Sequence, residues 1–241
     1  MRNYFTFGTL NSTTYGVYIN GKDTFGAAQH EVEFLSVPGR NGDLIRDNNR
    51  FSNIEVTYHA FIYNNFAANI RDFRNALNAV SGYAKLVDTY NPNEYRMACY
   101  AAEFTPEVLP MNNAGEFDIV FTCKPQRFLT SGDIDYLYTA SPFTIYNAQR
   151  FPSKPKISVF CPSGASECKL VIRDQTITIK NPNATTIIDS EMQDCYYGAV
   201  NLNSKVSFSD FKFPVLIPGN NACSFDTAGM QITVTPRWWR L

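Results

Sequence analysis

Only one stretch of this chain spaces its apolar side chains for a helix. In NNFAANIRDFRNALNAVSG (residues 64–82), Phe66, Ile70, Phe73, Leu77 and Val80 recur every three or four positions and make a single stripe. Asn64 or Asn65 stands where a cap belongs, and Gly82 stands where the helix should close. Nearly everything else reads as strand. EVEFLSV, NIEVTYHAFIY, YAKLVD, EYRMACYAAEF and GEFDIVFTCKP surround the helix, and KPKISVF, KLVIRDQTITIK, TTIIDSEM, KVSFSDF and ACSFDTAGMQITVTP follow it. A chain with so many strands and one helix must bury its apolar surface sheet on sheet or sheet on helix, so the expected class is mainly β.

The two strand groups differ in setting. The first encloses the helix, whereas the second is punctuated by turn signals, PSGAS, NPNAT, NLNSK and PGNNA. LTSGDIDYLYTASP lies between them. The expected organisation is therefore residues 1–133 as a β-sheet domain carrying one helix and residues 134–241 as a β-sandwich.

Composition narrows the function. The chain is 44% apolar and 15% aromatic, which excludes disorder. Twenty-one basic residues against 22 acidic ones leave a net charge of −1, so no global field draws nucleic acid or anionic lipid. No apolar run approaches the roughly 18 residues a membrane helix needs, and MRNYFTFGTL lacks a signal-peptide core. The expectation is a protein made in a cytosol without membrane insertion. Cys99, Cys123, Cys161, Cys168, Cys195 and Cys223 contain no Cys-x-x-Cys pair, so no metal or cofactor is expected, and the thiols should be free. Cys161 and Cys168, flanking a turn, are the pair to watch.

Catalytic signals are thin. His30 and His59 are the only imidazoles, and His59 sits mid-strand in VTYHAFIY. Asp133 with Asp135, or Asp189 with Glu191, have the composition of a glycosidase pair but lie in loop-like settings. No nucleophile elbow, Walker loop or dinucleotide fingerprint is present. The chain is not expected to be an enzyme.

Three features remain. VPGRNGDLIRDNNRF holds two turn dipeptides, and Arg40, Arg46 and Arg50 alternate with Asp43 and Asp47. Such alternation suits a self-complementary contact in which arginine forks on one subunit meet carboxylates on the next. Tyr196 and Tyr197 in CYYGAV are a candidate platform for a sugar ring. ITVTPRWWRL gathers both tryptophans. Pro236 should end the strand, and period-two logic sends Trp238 and Trp239 to opposite sides, one into the sandwich core and one onto a neighbouring surface. Arg237 and Arg240 are expected to keep the edge soluble or to stack on rings.

Several of these pieces occur in an order that resembles one family. VPGRNGDL after a strand, the helix-bearing middle, CKPQRF, FPSKPKISV, and NLNSKV with FPVLIPGNNACSF and ITVTPRWWRL look like the distal tail (Dit) proteins of siphophages. The resemblance implies a virion structural protein at the tail tip, made in the host cytoplasm. Its N-terminal domains would close into a hexameric ring, and a galectin-like C-terminal sandwich would hang outward. The implied partners are the tail tube protein, the tail-associated lysin or tail fibre protein and the receptor-binding protein. The chain has no room for the carbohydrate-binding insertion of longer family members. A carbohydrate-binding adhesin and a cell-wall hydrolase are the rival classes.

Overall fold

The computed structural model describes residues 2–20, 24–109, 113–162, 164–182 and 185–241. The backbone divides into two compact units, residues 1–127 together with Leu241, and residues 128–240. The mainly β class is borne out, and one α-helix is present among the described residues.

The first unit contains β1 (Phe5–Phe7), β2 (Leu10–Asn11), β3 (Val17–Asn20), β4 (His30–Leu35), β5 (Leu44–Phe51), β6 (Ile54–Ile62), α1 (Phe66–Ala79), β7 (Ala84–Asp88), β8 (Glu94–Cys99), β9 (Glu107–Val108) and β10 (Gly115–Cys123). An antiparallel sheet runs in the order β2-β1-β7-β8-β10-β6-β3. Its longest ladder joins β10 to β6, from Gly115 opposite Ile62 to Cys123 opposite Ile54. Along β6 the alternation visible in the sequence sends Val56, Tyr58, Ala60 and Ile62 into the core and leaves His59 on the other face. Helix α1 buries Phe66, Phe73 and Leu77 against this core. Phe5 stacks on Tyr58 at 5.4 Å and meets Phe121 edge-on at 5.5 Å, so aromatic rings form a cluster inside this core.

The expected helix cap differs in detail. Asn65 occupies the N-cap, but its φ of 50° is left-handed and its side chain makes no capping bond. That backbone turn aims the amide away from the helix. Asn113 Oδ1 takes the Asn65 N–H instead at 2.9 Å, and Asn69 Nδ2 donates to the Asn64 carbonyl.

The second unit contains β11 (Arg127–Leu129, whose first residue belongs to the first unit), β12 (Tyr136–Tyr138), β13 (Phe143–Asn147), β14 (Lys156–Phe160), β15 (Glu167–Ile172), β16 (Gln175–Lys180), β17 (Thr185–Asp189), β18 (Asp194–Tyr197), β19 (Val200–Asn201), β20 (Val206–Phe208), β21 (Gly219–Phe225), β22 (Gln231–Thr235) and β23 (Trp239–Arg240). Two antiparallel sheets, β12-β22-β14-β17-β18-β19 and β13-β21-β15-β16-β20, face each other as a sandwich. Ile157, Val159, Leu170, Ile177, Ile188, Ile232 and Val234 meet between them. KLVIRDQTITIK, which reads as one strand, is two. Arg173 adopts φ 58°, and the chain doubles back so that Ile172 pairs with Gln175. The sequence hides this turn because an arginine holds the place usually given to asparagine or glycine.

Candidate assembly interface

Strands β4 and β5 form their own two-stranded sheet, separate from the main sheet of the first unit. Glu33 lies opposite Arg46, Phe34 opposite Ile45 and Leu35 opposite Leu44, with a register shift between His30 and Val32. Successive pairs point to opposite faces, and both faces are wet: Phe34 is 64% and Ile45 65% exposed, and Leu35 and Leu44 are also exposed. A lone ribbon of this kind is at best marginally stable in water, so its apolar pairs need a covering surface.

The charges singled out from the sequence separate into two groups. Arg50 Nε reaches Glu31 at 2.9 Å, Arg46 pairs with Glu33 at 3.6 Å, and Asp47 accepts from His30 at 3.0 Å. These three are satisfied within the ribbon. Arg40 and Asp43 stand exposed in the connecting turn with no ion pair among the described residues. That turn is built on Gly39 and Gly42, whose φ of 78° and 79° suit glycine. The exposed pairs Phe34–Ile45 and Leu35–Leu44 were missed at the sequence level, because apolar alternation in a strand normally signals a buried face.

The root of the ribbon is rigid. Ser52 N–H donates to the Gln29 carbonyl. Just upstream, Arg127 Nη2 donates to the Thr24 and Gly26 carbonyls at 2.6 and 3.1 Å, and Arg96 Nη2 donates to Gly26 at 3.2 Å. Both arginines are more than nine-tenths buried. Burial first, and then the neighbouring Arg127 charge, pull the Arg96 guanidinium below its ordinary value, while Glu94 lies 3.7 Å from Arg127. Two buried cations spent on backbone carbonyls fix where the ribbon leaves the core.

The C-terminal tryptophans are a second anchored feature. Leu129 N–H bonds the Trp238 carbonyl at 2.9 Å, and Arg237 N–H bonds the Gly132 carbonyl at 2.8 Å. Trp238 is buried in the sandwich core. Trp239 lies on the other side, its ring stacked on Phe151 at 4.6 Å and its Nε1–H donated to the Pro152 carbonyl. Pro236 follows the last residue of β22, as expected. Gly132 is required by contact: a Cβ there would collide with the Trp238 backbone nitrogen.

Arg237 departs from its expected role at the edge. Its guanidinium forks onto Asp189 with both bonds at 2.7 Å, and Asp189 is 1% exposed. Burial alone would raise this carboxyl, but Arg237 and the N–H groups of Met192 and Glu191 hold it below its ordinary value. Asp189, considered above as half of an acid pair, is therefore a structural counter-ion.

The remaining candidates do not converge on chemistry. His59 contacts Asp118 across the β6–β10 ladder, and His30 contacts Asp47, both on exposed ground. Asp135 accepts from Thr235. Among the described residues no three His, Cys, Asp or Glu side chains are grouped to hold a metal, and no helix is long and apolar enough to cross a membrane. Tyr196 is half-buried and Tyr197 exposed beside an open recess of about 330 Å³. Asp194, which lines the same recess, accepts on Oδ1 from Asn201, Asn203 and the Cys195 N–H. All six cysteines are free, and burial raises Cys123, Cys195 and Cys223 to about 12. Burial also raises Cys161, with a hydrogen bond to Cys168 adding to the effect.

Residues 10–123, from the start of β2 to the end of β10, match the family model described as the phage tail protein RIFT-related domain. That match spans most of the first unit. Among solved structures, the whole chain is similar to the Dit protein of phage SPP1, described as a paradigm of the hub adsorption apparatus of phages infecting Gram-positive bacteria. The identity is 14%, all of both chains is covered, and the TM-score is 0.77. It is also similar to a chain of the phage P2 baseplate in its activated conformation with calcium, at 10% identity over 97% of this chain and 98% of that one, TM-score 0.56. A chain of the strontium form gives 10% identity, 99% and 98% coverage and the same TM-score. No curated protein matches the sequence. The likeness to siphophage distal tail proteins read from the sequence motifs is borne out.

Proposed function

We propose that this protein is a structural component of a phage tail tip, a homo-hexameric ring that joins the tail tube to the tail-associated lysin or fibre and to the receptor-binding protein. It works by surface complementarity and has no catalytic turnover. The observation that carries this reading is the β4–β5 ribbon: a rigidly rooted hairpin, wet on both faces, exposing Phe34, Leu35, Leu44 and Ile45 inside a matched tail-protein domain. Laid against a neighbouring copy, these side chains are covered, while the unpaired Arg40 and Asp43 at the tip set the register of a head-to-tail contact. The C-terminal unit is the galectin-like sandwich of the ring's periphery. Native mass spectrometry and electron microscopy of assembled tail tips test the stoichiometry: six copies are expected, and three or twelve would overturn the ring. Phe34→Ser with Ile45→Ser should abolish incorporation into tips while leaving the chain folded.

A further inference from the structure

The segment FSDFKF (208–213) holds three phenylalanines, and the structure treats one of them differently. Phe208 and Phe213 pack on each other at 4.7 Å and against the sandwich core. Phe211, between them, is 95% exposed, more than any other large apolar residue described. It also sits at φ 59°, a left-handed conformation that is an outlier for a bulky side chain. A floppy loop would relax out of that conformation. This one is held: Ser209 N–H donates to the Thr176 carbonyl, Thr176 N–H to Ser209 Oγ, and Phe211 N–H to the Phe208 carbonyl. Gln175, itself nine-tenths buried, donates its side-chain amide to Asp210 Oδ1 and to the Lys212 carbonyl. Asp210 Oδ1 also accepts from Lys212 N–H, and Asp210 itself is exposed.

We propose that Phe211 is a pre-organised anchor that inserts into an apolar pocket on another protein of the tail. Strain kept in place by a hydrogen-bonded frame is retained where it serves a contact, and a ring already immobilised loses little entropy on docking. The surroundings favour a protein over a membrane. Asp210 and Lys212 flank the ring, with Arg173 and Asp174 exposed on the adjoining turn, a balanced set that offers no attraction to an anionic membrane. A sugar would stack on the ring and donate hydroxyls to the exposed Asp210 carboxylate, so glycan binding is one outcome of the test below. A mixed-charge rim around one aromatic matches a protein hot spot. The inference rests on the chain being a tail component, and goes beyond the ring.

The test places the photoreactive analogue p-benzoylphenylalanine at position 211 in assembled tails and maps the cross-link by mass spectrometry. A cross-link to apolar residues of one other tail protein is expected. In parallel, Phe211→Gly should raise the melting temperature of the isolated chain, because the left-handed strain is released and no contact is lost, yet lower retention of that second protein in tails at least tenfold. Cross-links only to another copy of this chain, Phe211-dependent binding to phosphatidylglycerol vesicles, Phe211-dependent binding to cell-wall glycan, or normal retention by Phe211→Gly would each overturn the proposal while the chain remains in the tail. Absence of the chain from tails would overturn the tail reading itself, and this inference with it.

Discussion

In the β4–β5 ribbon, arginines meet carboxylates at 2.9 and 3.6 Å with both partners largely in water, and the large apolar side chains beside them have nothing to lie on. In the segment from Arg237 to Trp239, the same residue types do the reverse. The guanidinium is forked onto a carboxylate removed from solvent, and one indole enters the core. Distance alone does not distinguish these ion pairs, but burial does. An exposed pair is screened and contributes about 0–1 kcal/mol, whereas stripping one partner from a buried pair costs about 3–5 kcal/mol because a charge is left without water. The difference separates residues that hold this chain together from residues left largely in solvent.

That contrast can be broken most severely by removing Arg237 to Leu241. The loss combines a buried tryptophan with a stranded Asp189, and a cost of about 5 kcal/mol or more is expected, enough to unfold the sandwich. Calorimetry showing an unchanged second unit would refute the anchoring described here. Arg237→Met isolates the charge and should cost about 3–5 kcal/mol; adding Asp189→Asn, which removes the orphaned charge but still accepts N–H bonds, should recover part of it. The pair also sets a pH dependence. Asp189 titrates below its unfolded value, so its contribution is complete above the ordinary carboxylate range and is lost as pH falls below about 4. Stability that falls equally with acid in Asp189→Asn would assign that loss elsewhere. The smallest effect is expected in the ribbon: Arg46→Glu should shift the melting free energy by about 1 kcal/mol or less. A larger change would mean that the ribbon's own ion pairs, and not an outside surface, sustain it.

Periodicity made much of this architecture legible. The stripe from Phe66 to Leu77, the alternation from Ile54 to Ile62 and the break at Pro236 follow from spacing alone, because a helix face and a sheet face impose fixed repeats. The opposite placement of Trp238 and Trp239 follows in the same way. The Arg237–Asp189 fork was hidden, since its partners are brought together only by tertiary pairing and a terminal arginine reads as a solubilising edge. Arg96 and Arg127 were hidden for the same reason. Of the five members of the charge alternation from Arg40 to Arg50, three turn out to be satisfied within the ribbon. The apolar pairs between them, indistinguishable in sequence from a core-facing strand, are the exposed part.

The contacts of Gly132 with the backbone of Arg237 and Trp238 carry a consequence for the order of folding. They join Gly132, near the beginning of the second unit, to residues near its end, so the Gly132 carbonyl waits for the Arg237 N–H before it is paired. Asp189 is made well before Arg237 and stays hydrated until the fork arrives. The sandwich therefore completes its pairing only when the last of these residues has been made. A nascent chain stalled short of Arg237 would present an open sheet with an unmatched carboxylate, a state that proteases and chaperones can distinguish from the finished fold.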